Sequence, residues 1–218
     1  MRAVCLLSGG MDSAVVLSIA QDRGYDLFPL TLDYGQKTKG KEISCAEKIC
    51  QRLGARELRL ISLPFLGDLG KSLLTSDGED TYVPFRNSIL ISLATAYAEV
   101  ISASAIFIGA SSVDTDYPDT TPDYIQAMQK VIRIGSKKKN IDLKAPLLYL
   151  SKADIVLLGL KLGTPFELTW SCYFDNEKPC GNCDSCQKRR EGFRRAGLND
   201  PIESYTEAYS NFVSSKKF

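Results

Sequence analysis

The sequence predicts an α/β fold, a doubly wound and mostly parallel five-stranded sheet carrying a small C-terminal helical appendage that binds a metal. Short apolar runs alternate with longer amphipathic ones through the first half of the chain, and a Gly-Gly turn joins the first such pair. Four of the seven cysteines crowd between Cys172 and Cys186. Alternation of the two kinds of run is the mark of βαβ units, and the cysteine cluster marks a change of character near the end.

Residues 3–7 form an apolar run that reads as a buried strand, followed by an amphipathic helix over 11–23. The pattern repeats with a strand over 27–32, a helix over 39–53 and a strand over 57–61. The polar stretch 64–84 is long for a loop inside a compact domain, which marks it as functional or partly disordered. Asn87 and Ser88 are expected to cap an apolar helix running to about residue 100. A strand over 105–108 then ends at Gly109 and opens a second loop, 110–122, on the ligand side. A helix over 124–134 stops at Gly135. Residues 146–150 lead into Ser151-Lys152-Ala153-Asp154, where Ser151 and Asp154 can satisfy the first amides of a helix ending near residue 162. Apolar strands then give way to cysteine, glycine and charge, so the chain divides into an α/β region over 1–166 and a metal-tied helical region over 167–218.

A chain of 218 residues, 44% hydrophobic and 24% charged, is long enough for one compact domain with an appendage and has the composition of a soluble globular protein. Lys and Arg number 27 against 26 Asp and Glu, so no overall field draws it to nucleic acid or to an anionic membrane. The run 3–7 is too short for a signal-peptide core or a membrane span. These observations predict a cytoplasmic protein whose partners are recognised locally, with no nucleic acid and no membrane among them. Cys5, Cys45 and Cys50 read as small buried hydrophobes. The absence of histidine excludes Ser-His-Asp and Cys-His catalysis and His-ligated metal sites.

The turn Ser8-Gly9-Gly10-Met11-Asp12-Ser13 follows the first strand and opens the first helix, where ligands gather in open α/β sheets. Glycines let an anion approach the backbone, the helix N-terminus offers unpaired N–H groups, and two serines add hydroxyls. The spacing matches neither GxxxxGK[ST] nor GxGxxG. Lys152 and Arg86 are candidate catalytic cations for phosphates that gain charge in a transition state. Asp12 either helps to hold Mg²⁺ or caps the helix. Cys172, Cys180, Cys183 and Cys186 suit a closed tetrahedral structural zinc, with an iron–sulfur cluster as the competing occupant.

SGGxDS in this place is similar to the loop of the PP-loop ATP pyrophosphatases, which bind the β,γ-pyrophosphate there and cleave ATP to AMP. That resemblance places ATP at Leu7, Ser8, Gly9, Gly10, Met11, Asp12, Ser13, Ala14, Val15, Val16 and Leu17. Within the superfamily, the ordered motifs Asp33-Tyr34-Gly35-Gln36, Val83-Pro84-Phe85-Arg86-Asn87, Tyr117-Pro118-Asp119, Ser151-Lys152-Ala153-Asp154, Leu168-Thr169-Trp170-Ser171-Cys172-Tyr173 and Lys178-Pro179-Cys180-Gly181-Asn182-Cys183-Asp184-Ser185-Cys186 resemble the 7-cyano-7-deazaguanine synthase family across nearly the whole chain.

The resemblance implies a C–N ligase that converts 7-carboxy-7-deazaguanine and ammonia to the nitrile through an adenylated acid and an amide, in queuosine biosynthesis. It further implies ATP with Mg²⁺, a structural Zn²⁺ and a homodimer. A carboxylate substrate is already a nucleophile, so missing imidazoles are no obstacle. The guanine-like ring offers paired N–H donors that suit a carboxylate, with Asp114, Asp116 and Asp119 as candidates, Tyr117 to stack and Asn87 on the facing wall. The chain departs from the family pattern at Phe85, often Gly, at Lys37-Thr38, often Arg-His, and at Thr120-Thr121, often Cys-Arg. These departures leave open a paralogue that passes the activated acid to a different amine. A tRNA-modifying PP-loop enzyme would need a basic surface, and the clusters 137–139, 188–190 and 194–195 read as solvated. A binding module that kept the fold as a scaffold would have no need of an intact loop.

Overall fold

In the computed structural model of the chain, the described residues are 1–113 and 117–202. They form β1 (Arg2–Leu6), α1 (Met11–Asp22), β2 (Asp26–Asp33), α2 (Lys39–Arg52), β3 (Arg59–Ser62), α3 (Arg86–Ile101), β4 (Ala105–Phe107), α4 (Pro122–Gly135), β5 (Asp142–Lys144), α5 (Lys152–Lys161) and α6 (Asp184–Arg195). The strand order is β3-β2-β1-β4-β5, and every pair is parallel. The winding reverses between β1 and β4, which creates the crevice at the carboxyl ends of the strands where such sheets bind ligands.

Side chains alternate across a strand, and β1 therefore feeds two cores. Ala3, Cys5 and Leu7 join Val15, Leu17, Ile49, Phe107 and Ile155 on one face. Val4 and Leu6 join Leu30, Ile91, Ile106 and Ile141 on the other. Burial on both faces is why these strands read as continuous apolar runs.

The fifth strand lies at Asp142–Lys144, ahead of residues 146–149, which form a turn. Only Leu143 of its three residues is fully buried, as befits an edge strand. Helix α3 begins at Arg86, so Asn87 and Ser88 sit in its first turn and do not cap it. Phe85, the residue before, has a left-handed backbone with φ 58° and supplies no side-chain cap. The cap comes from 32 residues away, where the Asp119 carboxylate accepts from the Asn87 N–H at 3.1 Å. The expected capping box at Ser151 and Asp154 is present at the start of α5.

Residues 64–84 include a 3-10 turn over Pro64–Leu69, and Leu66 and Val83 bury against Tyr34 beyond the end of β2. Helix α6 packs on α5, and its Phe193 enters the core beside Phe166 with ring centroids 5.3 Å apart. The cluster Lys188-Arg189-Arg190, expected at the surface, is not uniformly solvated. Arg189 is 3% exposed because it forks onto Asp200 at 2.7 and 2.9 Å and also donates to Thr169 Oγ1 and the Phe166 carbonyl. Arg190 donates to the Gly181 carbonyl. Among the described residues no helix is long and apolar enough to cross a membrane.

Candidate active site

The turn after β1 is shaped by its neighbours as much as by its glycines. Gly9 has φ 76°, and a Cβ there would stand 2.3 Å from the Glu42 carbonyl oxygen of α2. Ser13 Oγ donates to the Gly10 carbonyl at 2.9 Å and accepts from the Ser8 N–H at 3.2 Å, which curls the loop over the start of α1. Gly10 precedes that helix without a side-chain cap, so its first-turn amides remain available for an anion.

A cleft of about 380 Å³ opens above this turn. Of the residues expected to form the site, Leu7, Ser8, Gly10, Met11, Asp12, Ser13, Arg86, Asn87, Tyr117, Lys152 and Cys172 line it together. Gly9 is packed against α2, while Ala14, Val15, Val16 and Leu17 are fully buried below the loop and form the body of α1. Asp119 is buried under α3, where its backbone carbonyl also accepts from Asn87 Nδ2 at 3.0 Å. Asp114 and Asp116 lie outside the described residues.

Lys152 Nζ reaches both oxygens of Asp12, at 2.8 and 3.0 Å, and so joins α5 to the loop. Its stem runs against Gly192 of α6, where a Cβ would stand 2.5 Å from Lys152 Cγ. The Arg86 guanidinium lies 5.3 Å from the Tyr34 ring centroid and donates to the Tyr34 hydroxyl at 3.0 Å. Burial pushes the Tyr34 phenol up from its ordinary value. Glu42 faces the same cleft. Burial pushes its carboxyl up, against hydrogen bonds from Thr38 and Gln36 and the charge of Arg86.

The positions that depart from the family pattern have local roles. Thr38 Oγ1 donates to Glu42 at 2.5 Å, and Lys37 faces Asp77 at 3.7 Å. Thr121 caps α4, and Thr120 Oγ1 donates to the Tyr117 carbonyl at 2.8 Å. Phe85 occupies a left-handed conformation that glycine adopts without cost. Tyr117 meets the 64–84 segment, hydrogen-bonding Thr81 and tilting against Tyr82.

The four clustered cysteines close the far side. Their thiols all lie within 4.8 Å of one another. Cys172 Sγ accepts from the Cys180 and Phe174 amides at 3.4 and 3.5 Å, and Cys180 Sγ from the Cys183 and Asn182 amides at 3.3 and 3.4 Å. These donors orient ligands and stabilise thiolates. Hydrogen bonds from Cys172 and Cys186 hold Cys183 well below the usual thiol range. Gly181, with φ 73°, makes the bend between two ligands. The set fits one tetrahedral cation with metal–sulfur bonds of about 2.3 Å.

The family model described as "Queuosine biosynthesis protein QueC" matches residues 2–197. The chain belongs to the QueC family. It is 46% identical over 217 residues to the 7-cyano-7-deazaguanine synthase of Methanospirillum hungatei JF-1, covering 93% of this chain and 99% of that one. Against the protein of the same name from Picrophilus torridus the identity is 45%, covering 100% and 98%. Two solved structures share the fold. One is a 4-thiouridine synthetase in complex with RNA and ATP, with TM-score 0.56, 21% identity and coverage of 98% of this chain and 50% of that one. The other is an NMN synthetase from Francisella tularensis, with TM-score 0.50, 18% identity and coverage of 97% and 82%.

Sequence reasoning about this QueC-family chain left several residues of the cleft without a role. Tyr34 and Trp170 stand inside motifs already noted, so position was their signal. Trp170 donates its backbone N–H to the Gly9 carbonyl at 2.9 Å, while its buried indole N–H has no hydrogen-bond partner among the described residues. Tyr173 likewise stands inside a motif already noted, whereas Glu42 and Arg189 carried no signal, because nothing in an amphipathic helix tells which polar residue turns inward.

Proposed function

We propose that this chain is an ATP-dependent 7-cyano-7-deazaguanine synthase acting on 7-carboxy-7-deazaguanine and ammonia. The observation that carries the reading is that one cleft collects the uncapped start of α1, the hydroxyls of Ser8 and Ser13, the Lys152–Asp12 pair and Arg86. In the proposed reaction the substrate carboxylate attacks the α-phosphorus of ATP and pyrophosphate leaves. The loop amides hold the β,γ-phosphates, and Lys152 exchanges Asp12 for the charge that develops on phosphate. Ammonia then attacks the acyl carbon, AMP leaves, and the surplus proton passes to solvent, giving the amide. The amide oxygen attacks a second ATP, with pyrophosphate leaving. Breakage of the C–O bond then expels AMP with that oxygen, and loss of both N–H protons to solvent gives the nitrile.

Neither activation step needs a general base on the chain, which agrees with the absence of histidine. Mg²⁺ bound with ATP would supply further charge neutralisation, and Asp12 would help to hold it at the loop. The four thiols close on one point, which supports a single Zn²⁺ over a cluster that would spread them wider. We assign the protein to the cytoplasm as a homodimer with small-molecule partners, its 167–218 region a metal-tied cover for the 1–166 region.

Mass spectrometry of the purified protein with ATP, Mg²⁺, ammonium and 7-carboxy-7-deazaguanine tests the reading. Amide and nitrile formed together with AMP are expected. AMP with an adenylated acid and no nitrile would transfer the assignment to a different amine acceptor. No ATP turnover would overturn it.

A further inference from the structure

Three acidic side chains line the cleft among the described residues: Asp12, Glu42 and Asp184. Two of them face cations, Asp12 on Lys152 at 2.8 Å and Asp184 on Lys188 at 2.9 Å, and Asp184 is more than half exposed. Asp119, one of three carboxylates offered by the sequence for reading the base, accepts from the Asn87 N–H at the start of α3. Glu42 feels the charge of Arg86 but hydrogen-bonds no cation among the described residues. Its oxygens meet neutral donors, Thr38 Oγ1 at 2.5 Å on Oε1 and Gln36 Nε2 at 3.0 Å on Oε2.

A carboxylate offers about four acceptor positions, so one on each oxygen is left after these two bonds. A pair of that kind accepts two parallel N–H donors in the bidentate manner that fixes a planar partner. Gln36 is itself locked, donating to the Leu32 carbonyl at 3.1 Å and accepting from the Tyr34 N–H at 2.9 Å, so the carboxylate is held in place before any ligand arrives. Tyr34, Leu74 and Leu90 supply apolar wall to the same cleft, as a flat heterocycle requires.

We infer that Glu42 determines specificity by accepting the adjacent N1–H and 2-amino hydrogens of a guanine-type ring. The inference rests on the proposed function, since that reading supplies the ring. Burial works against the ionised form of Glu42. A carboxylate kept at such a position is a cost to the fold that a ligand's donors offset.

The test compares kcat/KM for 7-carboxy-7-deazaguanine with that for the analogue lacking the 2-amino group, in wild type and in Glu42→Gln. A site built around a hydrogen-bonded donor rejects the analogue lacking it by about 10²-fold or more. Wild type is expected to show that preference, and Glu42→Gln to lose most of it with the KM for ATP unchanged. An intact preference in Glu42→Gln overturns the inference. A rise in KM for ATP with the preference retained would give Glu42 to the ribose hydroxyls and overturn it equally. If Glu42→Gln does not fold, Thr38→Ala, which frees Oε1 from its donor, is expected to weaken the preference in part, and an unchanged preference counts against the role. If wild type converts neither compound, the proposed reaction fails, and binding of 7-deazaguanine by calorimetry decides about Glu42 alone. Tighter binding to wild type than to Glu42→Gln supports it, and equal binding sinks it.

Discussion

Lys152 and Asp12 hold each other at 2.8 Å with both side chains mostly withdrawn from water, 17% and 27% exposed. A charge pair in that position is poised for exchange, because an arriving phosphate offers the ammonium a stronger partner than one carboxylate. Lys152→Met keeps the stem against Gly192 and removes only the charge. It is expected to lower the rate of AMP formation by about 10²–10³-fold, read as pyrophosphate release at saturating ATP; a rate within a few-fold of wild type would refute the role. Glu42 gives a second expectation, in stability. Burial raises its folded pKa above the unfolded value of about 4.3. The stability it contributes is therefore full below that unfolded value and is lost as pH rises through the folded one. Glu42→Gln, which has no proton to lose, should accordingly melt higher than wild type at pH 8, and that advantage should shrink on acidification towards pH 4. A difference that does not change with pH would show that Glu42 is not ionising against its surroundings.

At the scale of elements, Arg189 ties α6 to the segment that leads into the cysteines. Arg189 is buried to 3% exposure and its bidentate partner Asp200 to 8%, and the same guanidinium reaches Thr169, Ser171 and Phe166 in the segment leading into the cysteines. Arg189→Ala removes the bidentate partner of the buried Asp200 carboxylate, and breaking a buried ion pair costs about 3–5 kcal/mol. Urea unfolding should show that loss, while Arg195→Ala on the exposed side of α6 should change little. The sequence could not announce Arg189, since Lys188-Arg189-Arg190 looks alike in composition and only the direction of each side chain separates them. The same limit hid β5, whose Asp142-Leu143-Lys144 carries one inward apolar residue and so has no period to detect. It hid the start of α3 as well, because a cap supplied by Asp119 is not local. Where the determinants are local they were legible: the apolar runs of β1, β2 and β4, the Ser8–Ser13 turn, the capping box at Ser151 and the spacing of the four cysteines.

Across the whole molecule, the cysteine knuckle is joined to the loop after β1 by two routes. Trp170, two residues before Cys172, donates its N–H to the Gly9 carbonyl, and α6, which begins within the knuckle, lays Gly192 against the stem of Lys152. Thiolate-bound metal is folding free energy, because no preformed site exists in the unfolded chain. Stripping it should therefore loosen both routes at once. Chelation, or Cys180→Ser, is expected to lower the melting temperature and to weaken ATP binding by tenfold or more in calorimetry, about 1.4 kcal/mol. By linkage, ATP should then raise the melting temperature of the metal-loaded protein by more than that of the stripped one at equal ligand concentration. A stripped protein that stays folded and binds ATP as tightly as before would mean that the knuckle closes the chain without shaping the nucleotide loop, and the coupling through Trp170 and Gly192 would have to be abandoned.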